Sequence, residues 1–165
     1  MKQKHTVHIS IGSNIDNKLK NCQNGITALT KPGLSFLKKQ SPFYSTEPVD
    51  YKNQDWFINA VVKIQSVFDP YQLLSVIKSV QKDAGRISNP VRYGPRVLDL
   101  DILLYDDLVI NLSGLVIPHP RMHKRRFVLK PICDIDPTVV HPVLKKDMRH
   151  LLDNLGDGQK IFEYR

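Results

Sequence analysis

Two aspartates lie close together in a run that is otherwise apolar. Asp99 and Asp101 are separated by a single leucine within residues 97–105. Side chains alternate along a strand, so both carboxylates are expected on one face, about 6.6–6.8 Å apart along the chain. Unpaired carboxylates at this spacing repel each other, and Mg²⁺ is held by one or two carboxylates together with water and substrate phosphates. The pattern predicts a magnesium-binding strand; a solvent-facing edge strand with two incidental aspartates is the simpler alternative.

The loop before this strand is basic. Arg86, Arg92 and Arg96 occur there among glycine and proline residues, with no acidic residue. Guanidinium groups bind phosphate oxygens through paired hydrogen bonds, and a loop joined to a metal-binding strand is well placed to close over a polyphosphate. A solvated basic loop without a ligand would have the same composition.

A second basic segment lies between residues 118 and 127. His119 stands between two prolines, which restrict the backbone there, and its ring is a candidate donor to a phosphate oxygen. Arg125 and Arg126 are candidates for a phosphate clamp or for a solvated helix face. The chain has no Walker A sequence and no glycine-rich phosphate loop, so phosphate binding must depend on side chains and metal.

Aromatic residues and one amide indicate a site for a flat heterocycle. Asn59 lies on a predicted strand beside Phe57. Aromatic rings stack on such a ligand, and an amide reads its donor and acceptor edges. The candidates are Thr46, Phe57, Asn59, Tyr93 and Phe127. For Phe57 and Phe127, ordinary core packing is the alternative.

Composition and charge narrow the class of partner. The chain has 165 residues, enough for one domain spanning 1–165, and a formal net charge of +8. Basic, acidic and again basic segments follow one another from residue 86 to 130, which favours a metal-bridged polyphosphate over a uniform nucleic-acid stripe. No apolar run approaches a membrane span, and two distant cysteines predict buried free thiols. A cytoplasmic protein without a membrane partner is therefore expected.

Hydrophobic periodicity and turn residues predict the fold. Strands are expected at 7–11, 34–44, 57–67, 97–105 and 108–112, and three helices are expected with Asp16, Asp69 and Asp147 as their capping residues. The order β-α-β-β-α-β with additions predicts an α+β fold of the ferredoxin-like, split-βαβ type. Its antiparallel sheet would have helices packed on it, and the other face would remain for a ligand or added segments. On the strand at 97–105, the residues expected to face the core are Leu98, Leu100, Ile102 and Leu104.

Taken together, these segments resemble the 6-hydroxymethyl-7,8-dihydropterin pyrophosphokinase family, in order along nearly the whole chain. The matching motifs are Ile11-Gly12-Ser13-Asn14, Phe43-Tyr44-Ser45-Thr46-Glu47-Pro48, Phe57-Ile58-Asn59-Ala60, Gly85-Arg86, Arg92-Tyr93-Gly94-Pro95-Arg96-Val97-Leu98-Asp99-Leu100-Asp101-Ile102, and Pro118-His119-Pro120-Arg121-Met122 continuing to Arg125-Arg126-Phe127. The resemblance implies a ferredoxin-like monomer that transfers the diphosphate of ATP to the hydroxymethyl group of the pterin, releases AMP and serves folate biosynthesis. It also implies two Mg²⁺ ions as cofactors and ATP as co-substrate.

The resemblance implies roles for individual residues as well. Asp99 and Asp101 would hold the two Mg²⁺ ions and, with Arg86 and Arg96, would be catalytic. The implied pterin contacts are Thr46, Val49, Phe57, Asn59, Tyr93 and Phe127. The implied ATP contacts are Lys78, Gln81, Arg86, Arg96, Ile102, Leu115, Val116, His119 and Arg125. Residues 86–96 match a loop that closes on the substrates.

Three residues depart from the pattern of the family that the chain resembles. Gln81 stands where glutamate is common, Ser88 where a basic residue is frequent, and Tyr93 where tryptophan is frequent. The serine would weaken the grip on phosphate, whereas the tyrosine can still stack. None of the three belongs to the aspartate pair.

Two other functions are compatible with a basic α+β chain. An RNA-binding module on a ferredoxin-like sheet would need stacking aromatics in an Arg/Lys-Gly-Phe/Tyr pattern, which the sequence lacks, and the two aspartates would repel a phosphate backbone. A two-metal nuclease would release phosphate from nucleic acid without needing ATP. Nucleic acid is therefore not the expected partner.

Overall fold

The computed structural model describes residues 2–33, 35–86 and 90–165. Within them the elements are, in chain order, β1 (His5–Ser13), α1 (Lys18–Leu29), β2 (Ser35–Gln40), β3 (Tyr44–Thr46), β4 (Phe57–Ser66), α2 (Pro70–Asp83), β5 (Asp99–Tyr105), β6 (Ile110–Leu112), β7 (Leu115–Ile117), a 3₁₀ turn (Met122–Lys124), α3 (Arg126–Ile135), α4 (Met148–Asp153) and β8 (Ile161–Glu163).

The main sheet confirms the predicted α+β, ferredoxin-like arrangement. Its strands follow the order β5-β1-β4-β3-β8, and β2 also pairs with β4. Every pairing in this sheet is antiparallel. The elements β1, α1, β2, β4, α2 and β5 form the split βαβ unit.

Two hydrophobic cores lie on opposite faces of this sheet. On the first face, Val7, Ile9 and Ile11 of β1 are completely buried against α1 and α2. On the second face, Val61 of β4 packs with α3 and α4. The added C-terminal helices thus cover part of the face that the split βαβ unit leaves open, and the uncovered part remains for a ligand.

A partly buried cluster of polar side chains holds the end of α3 against the second face of the sheet. His8 Nε2 lies 2.9 Å from Asp136 Oδ2, and Lys63 Nζ lies 2.7 Å from the same oxygen. Burial lowers the pKa of His8 below its ordinary value of 6.5, although Asp136 acts in the opposite direction. The neutral imidazole is therefore the form that the fold favours.

The helix starts follow the predicted capping chemistry with one exception. Asp69 caps α2 through a capping box with Gln72, and Asp147 caps α4. The prediction that Asp16 caps α1 is wrong, because Asn17 Oδ1 accepts the hydrogen bond from the Lys20 N–H at 3.1 Å. Asp16 itself has a positive φ of 54°, in the turn before the helix.

The predicted strand at 34–44 is divided in the structure. β2 ends at Gln40 and β3 begins at Tyr44. Pro42 lies between them and has no N–H to donate to a ladder. Ser41 Oγ instead accepts the Val61 N–H at 3.0 Å. The predicted strand at 108–112 is also shorter: Ile110–Leu112 pairs with β7 in a separate hairpin and not with the main sheet.

A β-bulge interrupts β5. His8 is opposite Leu104 and Ile9 is opposite Ile102, so Leu103 is an extra residue without a partner on β1. The side-chain alternation shifts at this point, and Leu103 and Leu104 both join the core on the second face. The prediction that Leu104 faces the same core as Ile102 is wrong for this reason.

Both cysteines behave as predicted. Cys22 and Cys133 are free and buried. Burial raises the pKa of the Cys22 thiol to about 12 and that of Cys133 to about 11, so both stay protonated. Among the described helices, none has the length and apolar character needed to cross a bilayer.

Candidate active site

A cavity of about 310 Å³ opens on the second face, beside the part that α3 and α4 cover. Three connections meet the sheet there: residues 47–56, residues 90–98 and residues 118–127. The sequence-predicted residues that line it are Thr46, Val49, Phe57, Asn59, Tyr93, Arg96, Asp99, Asp101, His119, Arg125 and Phe127. All of the predicted pterin contacts and both predicted metal ligands therefore face one cavity.

Cross-strand register explains how one sheet face brings these side chains together. Gly12 on the central strand β1 is opposite Asn59 on one side and opposite Asp99 on the other. Ser10 is likewise opposite Asp101. Because Ser10 and Gly12 are small, β1 forms a low floor between the amide and the carboxylates.

The amide of Asn59 is held in one orientation. Its Nδ2 donates to Thr46 Oγ1 at 2.6 Å, and both residues are buried. Its Oδ1 lies directly over Gly12, since a Cβ added to this glycine would be only 2.5 Å from that oxygen. Gly12 is thus the residue that lets the amide approach the strand, which the sequence analysis did not recognise.

The two carboxylates have different surroundings. Asp99 Oδ1 accepts from Arg96 Nη1 at 2.8 Å and from Arg86 Nη1 at 3.1 Å. Within the described part of the chain, Asp101 has no arginine in hydrogen-bond contact, and desolvation together with the negative charge of Asp99 raises its pKa to about 6. A divalent cation would remove this unfavourable charge, so the carboxylate pair fits a metal chemically.

The donor set also indicates which metal would fit. Among the described residues, no group of three or more histidine, cysteine, aspartate or glutamate side chains is arranged to hold an ion. A cation bound by Asp99 and Asp101 would therefore complete its coordination with water and substrate oxygens. This is the preference of Mg²⁺ and not of zinc in a structural site.

His119 presents a neutral hydrogen-bond donor to the cavity. Its backbone N–H donates, at 2.9 Å, to the carbonyl of Leu103, which is the extra residue of the bulge. Its Nδ1 accepts from the Arg121 N–H at 3.1 Å, which assigns the ring proton to Nε2, 3.9 Å from Asp101 Oδ2. Burial, assisted by the charge of Arg125, lowers the pKa of His119 to about 4.

Arg125 lies in the cavity with unused hydrogen-bonding capacity. Its guanidinium is 5.4 Å from the centre of the Phe127 ring. Its Nε is buried and has no hydrogen-bond partner among the described residues. Burial and the neighbouring charge of Arg121 lower its pKa. Since arginine still carries its charge, an anionic ligand would satisfy this group.

Gln81 positions one of the arginines. Its Oε1 accepts from the buried N–H of Leu100 at 2.9 Å and also from the Arg86 guanidinium. Arg86 in turn contacts Asp99. Neither Gln81 nor Arg86 lines the cavity, so Gln81 acts on it through Arg86. Lys78, one turn earlier on α2, is exposed and lines neither of the cavities described here, and its contact with ATP stays a prediction.

A second cavity of about 260 Å³ adjoins the first. Asp101 and His119 line both and therefore lie at their junction, whereas Asp99 lines only the first cavity. Most of the remaining lining is apolar: Leu74, Ile77, Leu100, Ile102, Gly114, Leu115, Val116 and Pro120. This set includes Ile102, Leu115 and Val116, which were predicted to contact ATP.

Asn14 joins two of the connections around the first cavity. Its Nδ2 donates to Gln54 Oε1 at 2.9 Å, and its Oδ1 accepts the Arg96 N–H at 2.8 Å. Gln54 Nε2 donates onward to the carbonyl of Tyr93 at 2.9 Å. The sequence analysis assigned no role to Asn14 or Gln54, because polar residues in loops carry no periodic signal.

The rim of the cavity is closed by an ion pair and an aromatic ring. Arg121 Nη2 lies 2.7 Å from Asp50 Oδ1. The Tyr93 ring centre lies 5.2 Å from the Arg121 guanidinium and 5.0 Å from that of Arg92. The Tyr93 ring therefore lies near two guanidinium groups, and its stacking on a ligand stays a prediction. The expectation for Ser88 lies outside the described residues.

Sequence comparison identifies the family to which this site belongs. The family described as 7,8-dihydro-6-hydroxymethylpterin-pyrophosphokinase (HPPK) matches residues 8–137. The chain belongs to the HPPK family. The resemblance drawn from its motifs is thereby confirmed.

Relatives of two kinds support this HPPK assignment. A 2-amino-4-hydroxy-6-hydroxymethyldihydropteridine pyrophosphokinase of Aquifex aeolicus is 35% identical over 144 residues, covering 87% of this chain and 88% of that protein. The folic acid synthesis protein fol1 of Pneumocystis carinii is 42% identical over 151 residues, or 92% of this chain. The chain spans only 20% of the length of that protein and 23% of the Dictyostelium discoideum relative.

Solved structures agree with the HPPK fold. A Plasmodium falciparum HPPK-DHPS crystallised with pterin and p-hydroxybenzoate superposes with a TM-score of 0.72, covering 92% of this chain and 42% of that chain. The sequence identity is 17%, so this likeness concerns the fold alone.

Proposed function

We propose that this protein transfers the diphosphate of ATP to the hydroxymethyl group of 6-hydroxymethyl-7,8-dihydropterin. The products would be the pterin diphosphate and AMP, in folate biosynthesis. The observation that carries the proposal is the location of Asp99 and Asp101 beside two adjoining cavities of different chemistry. One offers an oriented amide between aromatic residues, and the other is mainly apolar.

The first cavity suits the pterin. Asn59 and Thr46 form a fixed pair of polar groups at its floor, and Phe57 and Phe127 contribute aromatic surface. A flat ring with donor and acceptor edges matches this combination. Tyr93 and Val49 complete the proposed pterin contacts at the rim.

The second cavity suits the base of ATP, and the junction suits its phosphates. Ile102, Leu115 and Val116 offer an apolar surface for a nucleobase. From there the triphosphate would pass His119 and Asp101 and reach the guanidinium groups of Arg96 and Arg125. This path brings the β-phosphorus of ATP towards the pterin cavity.

Two Mg²⁺ ions held by Asp99 and Asp101 would supply charge neutralisation on the phosphates. The pterin hydroxymethyl oxygen attacks the β-phosphorus and loses its proton to solvent, the bond from that phosphorus to the α,β-bridging oxygen breaks, and AMP leaves with the electron pair. Arg96 and Arg125 stabilise charge on the phosphate oxygens, and the Nε2–H of His119 donates to one of them. The attacking group needs no strong base, because phosphoryl-type transfer depends mainly on positioning and charge.

The proposal includes the setting of the enzyme. We infer a single domain spanning 1–165 that acts as a monomer in the cytoplasm, without nucleic acid or membrane as partner. The buried free thiols of Cys22 and Cys133 are compatible with a reducing compartment. The carboxylate pair would disfavour a nucleic-acid backbone at this site.

Nucleotide analysis tests the reaction. The protein is mixed with ATP, Mg²⁺ and 6-hydroxymethyl-7,8-dihydropterin, and AMP should form in step with a pterin diphosphate. ADP as the product would contradict the proposed donor chemistry. Phosphate release from nucleic acid without ATP would favour the nuclease alternative.

Two sets of variants assign the roles. Asp99→Ala and Asp101→Ala should each reduce turnover in Mg²⁺ severely, by about 10³-fold or more, and near-normal turnover would rule out the metal role. Arg96→Ala should lower kcat more than ATP affinity, because its charge acts mainly on the transition state. Equal losses in both parameters would contradict that role.

A further inference from the structure

The C-terminal segment lies outside residues 8–137, which the family model matches, and it reaches the candidate pterin cavity. β8 pairs with β3 and brings Ile161 opposite Thr46. The Glu47 N–H donates to the carbonyl of Lys160 at 3.1 Å. These two contacts hold the C-terminal segment against β3 and the residue that follows it.

Gln159, in this segment, makes two hydrogen bonds through its side-chain amide. Its side-chain Nε2 donates to the carbonyl of Glu47 at 2.8 Å, and its Oε1 accepts the N–H of Phe127 at 3.2 Å. The residue is only 8% exposed. Its amide therefore joins two cavity walls that are far apart in sequence. One is Glu47, which directly follows β3, and the other is the start of α3.

Both backbone groups need such a partner. Phe127 is the second residue of α3, and the first N–H groups of a helix have no acceptor within it. Arg125 precedes the helix and provides no side-chain cap. The Glu47 carbonyl follows the last residue of β3. An unsatisfied buried backbone group is costly, so Gln159 fixes the distance between these two walls.

We propose that Gln159 is a positioning residue that sets the width of the candidate pterin cavity between Thr46 and Phe127. This inference depends on the proposed function of the cavity. Gln159 does not line the cavity, so it acts only through Glu47 and Phe127. Neither Glu47 nor Phe127 lines the second cavity.

A matched pair of variants tests the role. Gln159→Met keeps the length of the side chain and removes both hydrogen bonds. Glu163→Gln is the control, because Glu163 is an exposed residue of strand β8, which follows Gln159 in the chain. We expect Gln159→Met to raise the pterin KM about tenfold while the ATP KM stays within about twofold. The control should leave both KM values unchanged.

The conservative variant Gln159→Glu separates the two hydrogen bonds. It keeps an acceptor for the Phe127 N–H and loses the donor to Glu47, so the pterin KM should rise less than in Gln159→Met. An unchanged pterin KM in either folded variant, or equal increases in both KM values, overturns the inference. If Gln159→Met does not fold, Gln159→Glu alone decides by the same criterion.

The controls keep the inference separate from the function on which it depends. If the wild-type protein forms no AMP with the pterin, the proposed function fails. If the wild type turns over and Gln159→Met still binds pterin normally, only the role of Gln159 fails.

Discussion

Replacing Gly12 with alanine should separate folding from substrate recognition. The new Cβ would lie 2.5 Å from Asn59 Oδ1, whereas separations below 3.0 Å are essentially never seen for real Cβ atoms. The amide must therefore move by about 0.5–0.9 Å to reach a separation of 3.0–3.4 Å. Asn59 is a short side chain that is tied to Thr46, so this shift disturbs the hydrogen bond between them.

The cost should appear in catalysis and hardly in stability. A displacement near 1 Å in a positioning group can cost about 10²-fold in rate, which corresponds to about 2.7 kcal/mol in kcat/KM for the pterin. The backbone φ of Gly12 is not positive, so alanine is compatible with the strand, and lower entropy in the unfolded chain contributes about 0.4–1 kcal/mol in its favour. This gain largely cancels the loss of stability from the disturbed hydrogen bond between Asn59 and Thr46.

The assay compares Gly12→Ala with Gly156→Ala. A Cβ added at Gly156 has no atom within 4 Å, which makes it a matched control. Steady-state kinetics with varied pterin and with varied ATP, together with a thermal melt, give the three quantities needed. The reasoning is refuted if Gly12→Ala keeps its pterin kcat/KM within threefold of wild type while folded, or if it loses ATP binding equally.

Three further predictions concern other contacts. Gln81→Leu leaves the buried N–H of Leu100 without an acceptor and should lower the free energy of unfolding by about 1–3 kcal/mol in a urea titration. Asp50→Asn weakens the partly exposed ion pair with Arg121 and should raise the pterin KM about two- to fivefold. His8 has a folded-state pKa below 6.5, so its contribution to stability is complete above that pH and is lost as pH falls below it; the Tm of the wild type should therefore fall more between pH 7.5 and 5.5 than the Tm of His8→Gln.

Each of these predictions has a result that contradicts it. Unchanged urea stability in Gln81→Leu would mean that the Leu100 N–H has another acceptor. An unaltered pterin KM in Asp50→Asn would remove the ion pair from the substrate rim. Parallel loss of Tm in the wild type and His8→Gln would assign the acid sensitivity to other groups.

The sequence was informative where the chemistry follows a local repeat. Alternation along one strand brought Asp99 and Asp101 to a common face, and the same rule oriented Asn59. The capping of α2 by Asp69 is likewise a local signal, readable from neighbouring residues. These features depend on a few consecutive positions, so they could be predicted before any tertiary contact was known.

Long-range contacts and local irregularities escaped prediction. Asn14 and Gln54 are 40 residues apart, and Phe127 and Gln159 are 32 apart, so no spacing rule connects them. Leu104 was assigned to the wrong face because the bulge adds one residue to an otherwise regular strand.

Family knowledge filled some of these gaps and left others open. The resemblance supplied Val49, Leu115 and Val116, which no residue pattern had indicated, and all three line the cavities. It could not indicate Gln159, which lies outside the matched segment. The role of Gln81 in positioning Arg86 follows only from its hydrogen bonds to Leu100 and Arg86.

The bulge in β5 makes the side-chain orientation at one end of the strand independent of that at the other end. Before Leu103, the alternation orients Asp99 and Asp101 towards the first cavity; after it, the alternation starts again and orients side chains into the two cores. Deleting Leu103 would leave Leu104 opposite His8 and Tyr105 opposite Val7, as they are now, but His119 would lose its anchor on the Leu103 carbonyl. Transplanting this strand into another sheet with His119 in its present position therefore requires the irregularity as well as the two aspartates.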